Sequence, residues 1–249
     1  MAIIALRYSE SPELWERIQD LDADVWPQYN LKGDVMNVYW ERLYEVFPDF
    51  QFVLYDEEAD DVLAEGHTIP IVWDGTVDGL GPGIDATIAA GFSLRMTGGA
   101  SNTLSALAAE IPPRHHDRGL STAILRQMAE IARSAGFGTL VAPVRPSWKD
   151  RYPLTPIERY VRWSRADGQA FDPWVRVHVR LGATISKAIP ESLRITGTVA
   201  EWESWTSMPF PETGMYVFPG GLAPLEIDRE LDRGSYWEPN VWILHNVRS

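Results

Sequence analysis

A basic, glycine-containing loop between two apolar segments is the part of the sequence best suited to chemistry. It reads Pro-Pro-Arg-His-His-Asp-Arg-Gly-Leu-Ser over residues 112–121. The spacing of apolar residues predicts a helix from about Leu120, and the first amides of a helix, which have no intrahelical partner, bind anions such as phosphate. Gly119 allows close approach to the backbone, and Ser121 and Thr122 are small enough to leave the amides accessible. The alternative is an ordinary strand–loop–helix junction with exposed arginines.

The elements on either side of this loop form a βαβ-type unit. Residues 103–111 are predicted to form a mostly buried strand, which Pro112 and Pro113 end. The helix after the loop carries an apolar stripe and ends at Gly136, and residues 139–144 form the next strand. The stripe consists of Leu120, Ile124, Met128, Ile131 and Ala135.

Apolar periodicity and turn residues also predict the remaining elements, and together they indicate the α/β class. Before the loop, a strand at 3–6 precedes two helices, a hairpin and a short helix. After it, the chain is irregular from 145 to 173, and then a helix and three strands follow. The predicted ranges are helices 12–25, 34–47, 84–92 and 174–181, hairpin strands 51–55 and 62–73, and strands 183–189, 195–202 and 236–247.

The segment His-Asp-Arg-Gly-Leu-Ser at 116–121 resembles the Q/R-x-x-G-x-G/A signature of the GNAT superfamily of acyl-CoA-dependent N-acyltransferases. Residues 178–183 are similar to a later segment of that family, aromatic-Tyr-x-x-x-Gly-Phe. The resemblance covers about residues 1–190. It implies a GNAT-like mixed, largely antiparallel sheet flanked by helices. We expect an acyltransferase core at 1–190 and a C-terminal extension at 191–249, which packs on the core and includes the last strand.

The resemblance implies that acetyl-CoA or another acyl-CoA is the co-substrate, with its pyrophosphate on the loop. His116 replaces the usual Gln or Arg of the signature, and Ser121 replaces the usual Gly or Ala. Backbone amides tolerate both changes because the side chains are not the main donors. The residues expected to bind the co-substrate are Ile111, His116, Arg118, Gly119, Leu120, Ser121 and Thr122.

Two residues are candidates for acid–base catalysis. His178 occupies the place of the family's common Tyr, which protonates the departing thiolate, and histidine has an ordinary pKa of about 6.5; the alternative is a structural histidine on a helix face. Glu110 is the one carboxylate in the strand before the loop, so it is the candidate base for the amine, directly or through water. Alternatively, Glu110 pairs with Arg114 or Arg118.

These residues predict an enzyme that moves an acetyl or related acyl group from acyl-CoA to the amine of a small-molecule acceptor. A non-catalytic GNAT-shaped module that binds CoA or another ligand is one alternative, because the usual Tyr is missing. An acyl-CoA hydrolase or lyase is another.

Composition excludes several other classes. The 249 residues include 22 Lys plus Arg and 35 Asp plus Glu, and a net charge of −13 disfavours binding to nucleic acid or to anionic membranes. No cysteine and no H-E-x-x-H motif is present, so we expect no metal. No segment has the length of a membrane span or of a signal peptide, which predicts a cytoplasmic protein.

The stretch at 144–163 interleaves basic and aromatic residues and is longer than the corresponding connection of the family. It could form a lid over the acceptor site. The alternative is that it packs against the C-terminal extension, or against a second copy of the chain in a homodimer.

Overall fold

The protein forms one mixed sheet with helices on both faces. The computed structural model describes residues 3–18 and 21–248, with the backbone alone at 22 and 23. Nine strands lie within this part of the chain: β1 Ile3–Arg7, β2 Gln51–Asp56, β3 Asp61–Ile71, β4 Thr103–Glu110, β5 Thr139–Val144, β6 Thr184–Gly197, β7 Gly214–Tyr216, β8 Leu225–Asp228 and β9 Arg233–Asn246. The predicted α/β class is therefore confirmed.

Eight α-helices accompany these strands in the described residues. They are α1 Leu21–Val25, α2 Met36–Tyr39, α3 Arg42–Val46, α4 Ile84–Met96, α5 Leu120–Ser134, α6 Ile157–Tyr160, α7 Pro173–Arg180 and α8 Val199–Thr206. Short 3-10 helices connect several of the elements. Among the helices that the structure describes, none combines the length and the apolar character needed to cross a bilayer.

The strand order is β1-β2-β3-β4-β5-β9-β8-β7, and β6 pairs with the other edge of β9, along most of its length. All neighbours are antiparallel except β4 and β5, which helix α5 joins as a parallel pair. This is the mixed, largely antiparallel sheet that was expected. The last strand, β9, lies inside the sheet, because it pairs with β5, β6 and β8.

Alternate residues of the central strands face two different cores, as the period of a strand requires. In β5, Leu140 and Ala142 pack in the cluster that includes α5 and α7, whereas Val141 packs in the cluster of α3 and α4. In β9, Ile243 packs in the cluster of α5 and α7, and Trp242 packs in the cluster of α3 and α4. The sheet is therefore covered on both faces.

Helix α5 buries one stripe, as its periodicity predicts. Leu120, Ile124, Met128 and Ile131 are at most 2% exposed. Ala135 is exposed, because the helix ends at Ser134 and Gly136 turns the chain with a φ of 78°. Ala132 is buried in the stripe instead.

The N-terminal helical region is more broken than the periodicity predicts. The expected helix over residues 12–25 is a 3-10 helix, Pro12–Arg17, followed by α1, and residues 19 and 20 lie outside the described part. The side chain of Ser11 forms no capping hydrogen bond. The expected helix over residues 34–47 divides into α2 and α3, and Val38, predicted on its apolar face, is 59% exposed.

The region after residue 182 corrects one sequence prediction. The strand expected at 195–202 ends at Gly197, because Thr198 and Glu201 form a capping box that begins α8. Strand β6 also runs through residue 190 without a break. The division at that residue stays a prediction about the core and its extension.

Candidate functional site

The site lies where the parallel strands β4 and β5 separate. They pair only at Leu104–Leu140 and Ser105–Val141. Beyond this point, residues 106–111 of one strand and residues 142–145 of the other line a cavity of about 660 Å³. A cavity of this volume is in the range that binds small molecules and cofactors. One edge of β4 is therefore available to a ligand, while β3 pairs with the other edge as far as Glu110.

The N-terminus of α5 lies beside the cavity, which Ser121 and His116 line. Gly119 is the N-cap, with a φ of 75°, and no side chain caps the helix. No other atom lies within 4 Å of the place where a Cβ of Gly119 would be. The start of this 15-residue helix therefore has open space beside Gly119 and no side chain on its first amides, an arrangement that suits a phosphate group.

The residues expected around this loop divide into three groups. Ile111, His116 and Ser121 line the cavity, and Nε2 of His116 donates to the carbonyl of Ile111 at 3.0 Å. The side chain of Leu120 belongs to the core, so only its amide is available to a ligand. The remaining three, Arg118, Gly119 and Thr122, do not line the cavity itself.

Arg118 is directed toward the β2–β3 hairpin. Its guanidinium lies 3.1 Å from Nδ1 of His115 and 3.6 Å from Asp56. His115 in turn lies 3.2 Å from Asp61. Arg118 thus adds positive charge near the loop while it ties the loop to the hairpin.

Glu110 is fully buried at the end of β4, directly across from Glu65 on β3. Trp26 donates its indole N–H to Glu110 at 2.7 Å, and Trp15 and Tyr44 donate to Glu65. Two ionised carboxylates opposite each other in a sheet repel, and in a buried site a cation nearby lowers the free-energy cost of their charges.

His67 supplies that cation. Its Nε2 lies 3.2 Å from Glu65 and 3.8 Å from Glu110, and its Nδ1 donates to Oε1 of Gln51 at 3.2 Å. The Gln51 amide nitrogen donates to the carbonyls of Phe47 and Thr68, which leaves its oxygen as the acceptor. Burial by itself would lower the pKa of His67, but the two carboxylates outweigh it and raise the pKa to about 10. His67 is therefore an imidazolium at neutral pH.

The cluster of Glu65, His67 and Glu110 thus places an imidazolium between two buried carboxyl groups. Its ligand atoms lie within 4.8 Å of one another, a spacing that could also hold a metal ion. With both nitrogens of His67 protonated, the imidazole has no lone pair for a metal. The expected absence of a metal stays a prediction.

An aromatic and acidic wall adjoins this cluster. The rings of Trp40 and His67 lie 4.5 Å apart, and Trp26, Trp40 and Glu41 line the cavity with Glu110. Carboxylates and indole faces attract cations. This end of the cavity is therefore suited to a cationic ligand.

The opposite wall contains a buried ion pair between Arg145 and Glu238. Asn30 and Tyr236 donate to Glu238 at 2.7 and 2.6 Å, and Arg145 donates to the carbonyl of Gly220 at 3.0 Å. Because the pair is mutually neutralising, it leaves the acidic end as the dominant charge of the cavity.

His178 lines the cavity from the second turn of α7 and is 1% exposed. Its Nδ1 lies 2.8 Å from Nε2 of His245. Burial, and to a smaller extent His245, lower the pKa of His178 to about 3. His178 is therefore a neutral imidazole at neutral pH, and its role as proton donor to the thiolate stays a prediction.

The stretch at 144–163 begins in the site and then packs. Arg145 lines the cavity, whereas Lys149 is buried and donates to the carbonyls of Tyr152 and Leu222. Tyr152 and Trp163 pack edge to face with ring centroids 4.9 Å apart. Most of the stretch therefore packs on itself and on the C-terminal part of the chain.

Five residues in or beside the site were not predicted from the sequence, namely Trp26, Trp40, Glu65, His67 and His245. A signal existed for two of them, because Glu65 and His67 alternate in an otherwise apolar strand and so share a face. For the two tryptophans and His245, the sequence contains no comparable signal, because each reaches the site through tertiary packing.

Comparisons with known proteins agree with this geometry. No protein-family model matches the chain. Arginine N-acetyltransferase avaD of Aspergillus versicolor is 28% identical over 267 residues, which cover 95% of this chain and 91% of that protein.

Two solved structures share the fold over the whole chain. The loading GNATL domain of CurA from Lyngbya majuscula superimposes with a TM-score of 0.65 at 17% identity, covering 100% of this chain and 99% of that one. The GphF GNAT-like decarboxylase in complex with isobutyryl-CoA has a TM-score of 0.60 at 17% identity and covers 100% of both chains. The chain therefore has the fold of these GNAT-like proteins and is similar to an N-acetyltransferase over nearly its whole length.

Proposed function

We propose that the protein transfers an acetyl or related acyl group from acyl-CoA to the amine of a small acceptor that is a cation. The observation that carries this proposal is the single cavity at the separated strands, which has helix amides at one side and a cluster of carboxylates and tryptophans at the other. The name of the curated relative, an arginine N-acetyltransferase, supports a basic acceptor.

The free amides at the start of α5 hold the pyrophosphate of the co-substrate. Gly119 leaves room for it, and Arg118 and His116 add positive charge or hydrogen-bonding capacity nearby. The free edge of β4, at residues 109–111, hydrogen-bonds the pantetheine arm and polarises the thioester carbonyl. These roles require the backbone more than the side chains.

The amine of the acceptor arrives as an ammonium ion beside Glu110. Glu110 accepts the proton, directly or through water, and the neutral nitrogen then attacks the thioester carbonyl carbon. The C–N bond forms, the C–S bond breaks, and the electron pair of that bond remains on sulfur. His178 hydrogen-bonds the departing thiolate from the other side of the cavity, and the thiolate takes up its proton from solvent.

The charge of the site determines which acceptors bind. Glu41 and Glu110 line one end of the cavity, and Trp26 and Trp40 offer ring faces beside them. A positively charged side chain on the acceptor is therefore stabilised there. A neutral analogue of the same shape lacks that interaction.

Arginine and citrulline test this proposal, because they have nearly the same shape but the ureido side chain of citrulline is neutral where arginine has a guanidinium cation. Release of free thiol from acetyl-CoA is measured with each amino acid, and the acylated product is identified by mass spectrometry. We expect kcat/KM for arginine to exceed that for citrulline by at least about tenfold, the ratio that 1.4 kcal/mol produces. Equal values would show that the acidic end does not select cations.

The same assay separates the alternative functions. Thiol release that does not need an amine would indicate a hydrolase. Loss of CO₂ from a carboxyacyl-CoA would indicate a decarboxylase, the activity in the name of one structural neighbour. Acetyl-CoA binding without turnover of any amine would indicate the non-catalytic module. The cytoplasm as compartment and a homodimer as assembly remain predictions.

A further inference from the structure

Helix α7 holds His178 in a fixed position. Asp172 caps the helix, and its carboxylate accepts the amides of Trp174 and Val175 at 3.0 and 3.1 Å. The same carboxylate accepts the amide of Trp148 at 2.8 Å. The helix start is therefore tied to the segment that follows β5, which fixes the backbone that carries His178.

His245 contacts the cavity only through His178. It lies on β9, across from Leu140 of β5, and is 7% exposed. Its Nε2 is 2.8 Å from Nδ1 of His178, and the two rings are 5.1 Å apart. Burial lowers the pKa of His245 to about 4, so both rings are neutral at pH 7. A hydrogen bond between two neutral imidazoles contains one proton, which belongs either to His245 or to His178.

The other ring nitrogen of His178 has no partner. Nε2 is buried and makes no hydrogen bond within the described part of the protein, although His178 lines the cavity. A buried polar atom without a partner is costly, so this nitrogen is available to a ligand. Whether it donates or accepts depends on the proton in the His178–His245 bond. If His245 donates to Nδ1, then Nε2 of His178 is an N–H donor; if His178 donates, Nε2 is an acceptor.

We propose that His245 is a positioning residue that donates its Nε2–H to Nδ1 of His178, so that His178 presents an Nε2–H group to the cavity. This inference rests on the proposed function, in which negative charge develops on the departing sulfur. An N–H donor stabilises that charge, whereas a nitrogen lone pair would repel it. His245 thus sets the role of His178 without touching the substrate.

The tautomer can be observed directly in the unliganded chain. Long-range ¹⁵N–¹H spectra of the ¹⁵N-labelled protein at pH 7 report which ring nitrogens carry protons, and His178→Phe identifies the signals of that residue. We expect protonated Nε2 and bare Nδ1 on His178. A protonated Nδ1 on His178 would overturn the proposal, whatever the activity of the enzyme.

Two substitutions of similar size separate hydrogen bonding from packing. His245→Gln places an amide N–H near the former Nε2, whereas His245→Leu removes the donor. We expect His245→Gln to keep the Nε2–H tautomer of His178 and to keep kcat within about threefold, and His245→Leu to lower kcat about tenfold or more with little change in KM. These losses stay below the 10²–10⁴-fold typical of removing an acid or base itself. Equal losses in the two folded variants would assign His245 a packing role and overturn the proposal.

The two proposals fail in distinguishable ways. If the predicted tautomer is present but no amine supports turnover, the acyltransferase function is wrong and the assignment of the hydrogen bond stands. If amines are acylated but His178 carries its proton on Nδ1, the function stands and this inference is wrong. The spectrum of the wild-type chain decides the second question even if His245→Leu does not fold.

Discussion

A negative charge at Gly119 should weaken acyl-CoA binding without disturbing the fold. The residue has a φ of 75° and a ψ of 9°, in the left-handed region, and a Cβ there would meet no other atom within 4 Å. Asn and Asp are the residues other than Gly that adopt this conformation most readily, and both can cap a helix. Gly119→Asn and Gly119→Asp therefore form a matched pair that differs in charge and hardly in shape.

The expected effect follows from Coulomb's law. A carboxylate about 6 Å from a phosphate costs about 0.7 kcal/mol per pair of unit charges in water, and more where the dielectric constant is lower. The pyrophosphate has about two such charges, and position 119 is exposed, so the lower value applies. The Asp variant should therefore bind acetyl-CoA about 1.4 kcal/mol more weakly than the Asn variant, which is about tenfold in Kd. Salt should reduce this difference, because the charges are accessible to counterions.

Titration calorimetry of both variants with acetyl-CoA measures the difference at low and at high salt. Gly136→Asp is the control, because Gly136 follows the other end of α5, has a φ of 78°, and also has no atom within 4 Å of a Cβ. Its Kd should equal that of the wild type. Equal affinities of the Asn and Asp variants at position 119 would refute the placement of the pyrophosphate at this helix.

Three further predictions concern buried charges. Glu110→Gln should lower kcat by about 10²–10⁴-fold, with the Kd for acetyl-CoA unchanged by calorimetry; wild-type turnover would exclude Glu110 as the base. Because the folded pKa of His67 is about 10, above the unfolded value of about 6.5, the stability from its imidazolium is complete below pH 6.5 and is lost as the pH rises through 10. The free energies of unfolding of the wild type and of His67→Gln, measured by urea denaturation, should thus approach each other between pH 7 and pH 10. A difference in free energy that stays constant over this range would contradict the ion cluster. Asp172→Ala should lower the free energy of unfolding by about 3 kcal/mol or more, since buried amides lose their acceptor, whereas the exposed Asp167→Ala should change it by less than about 0.5 kcal/mol.

The central βαβ unit was readable from the sequence because its signals are local. The stripe of α5, the glycine after it and the apolar strands at 103–111 and 139–144 each reflect the period of one element. The N-terminal region was predicted less well, since α1, α2 and α3 are each of five residues or fewer and depend on packing against the sheet. Similarly, α8 replaces the last part of the strand predicted at 195–202, because its capping box outweighs the apolar pattern of residues 199–202.

The sequence by itself determined where a phosphate could bind and which strand carries a buried acid, because a glycine before an amphipathic helix and a carboxylate among apolar residues have local causes. Only the tertiary structure decided what surrounds that acid. The register between β3 and β4 places Glu65 opposite Glu110, and His67 follows on the same face to hold the two carboxylates apart. In the same way, β9 returns from the C-terminus to place His245 beside His178. Contacts across 45 or 67 positions depend on how strands are ordered in a sheet, and no periodicity within a single segment specifies that order.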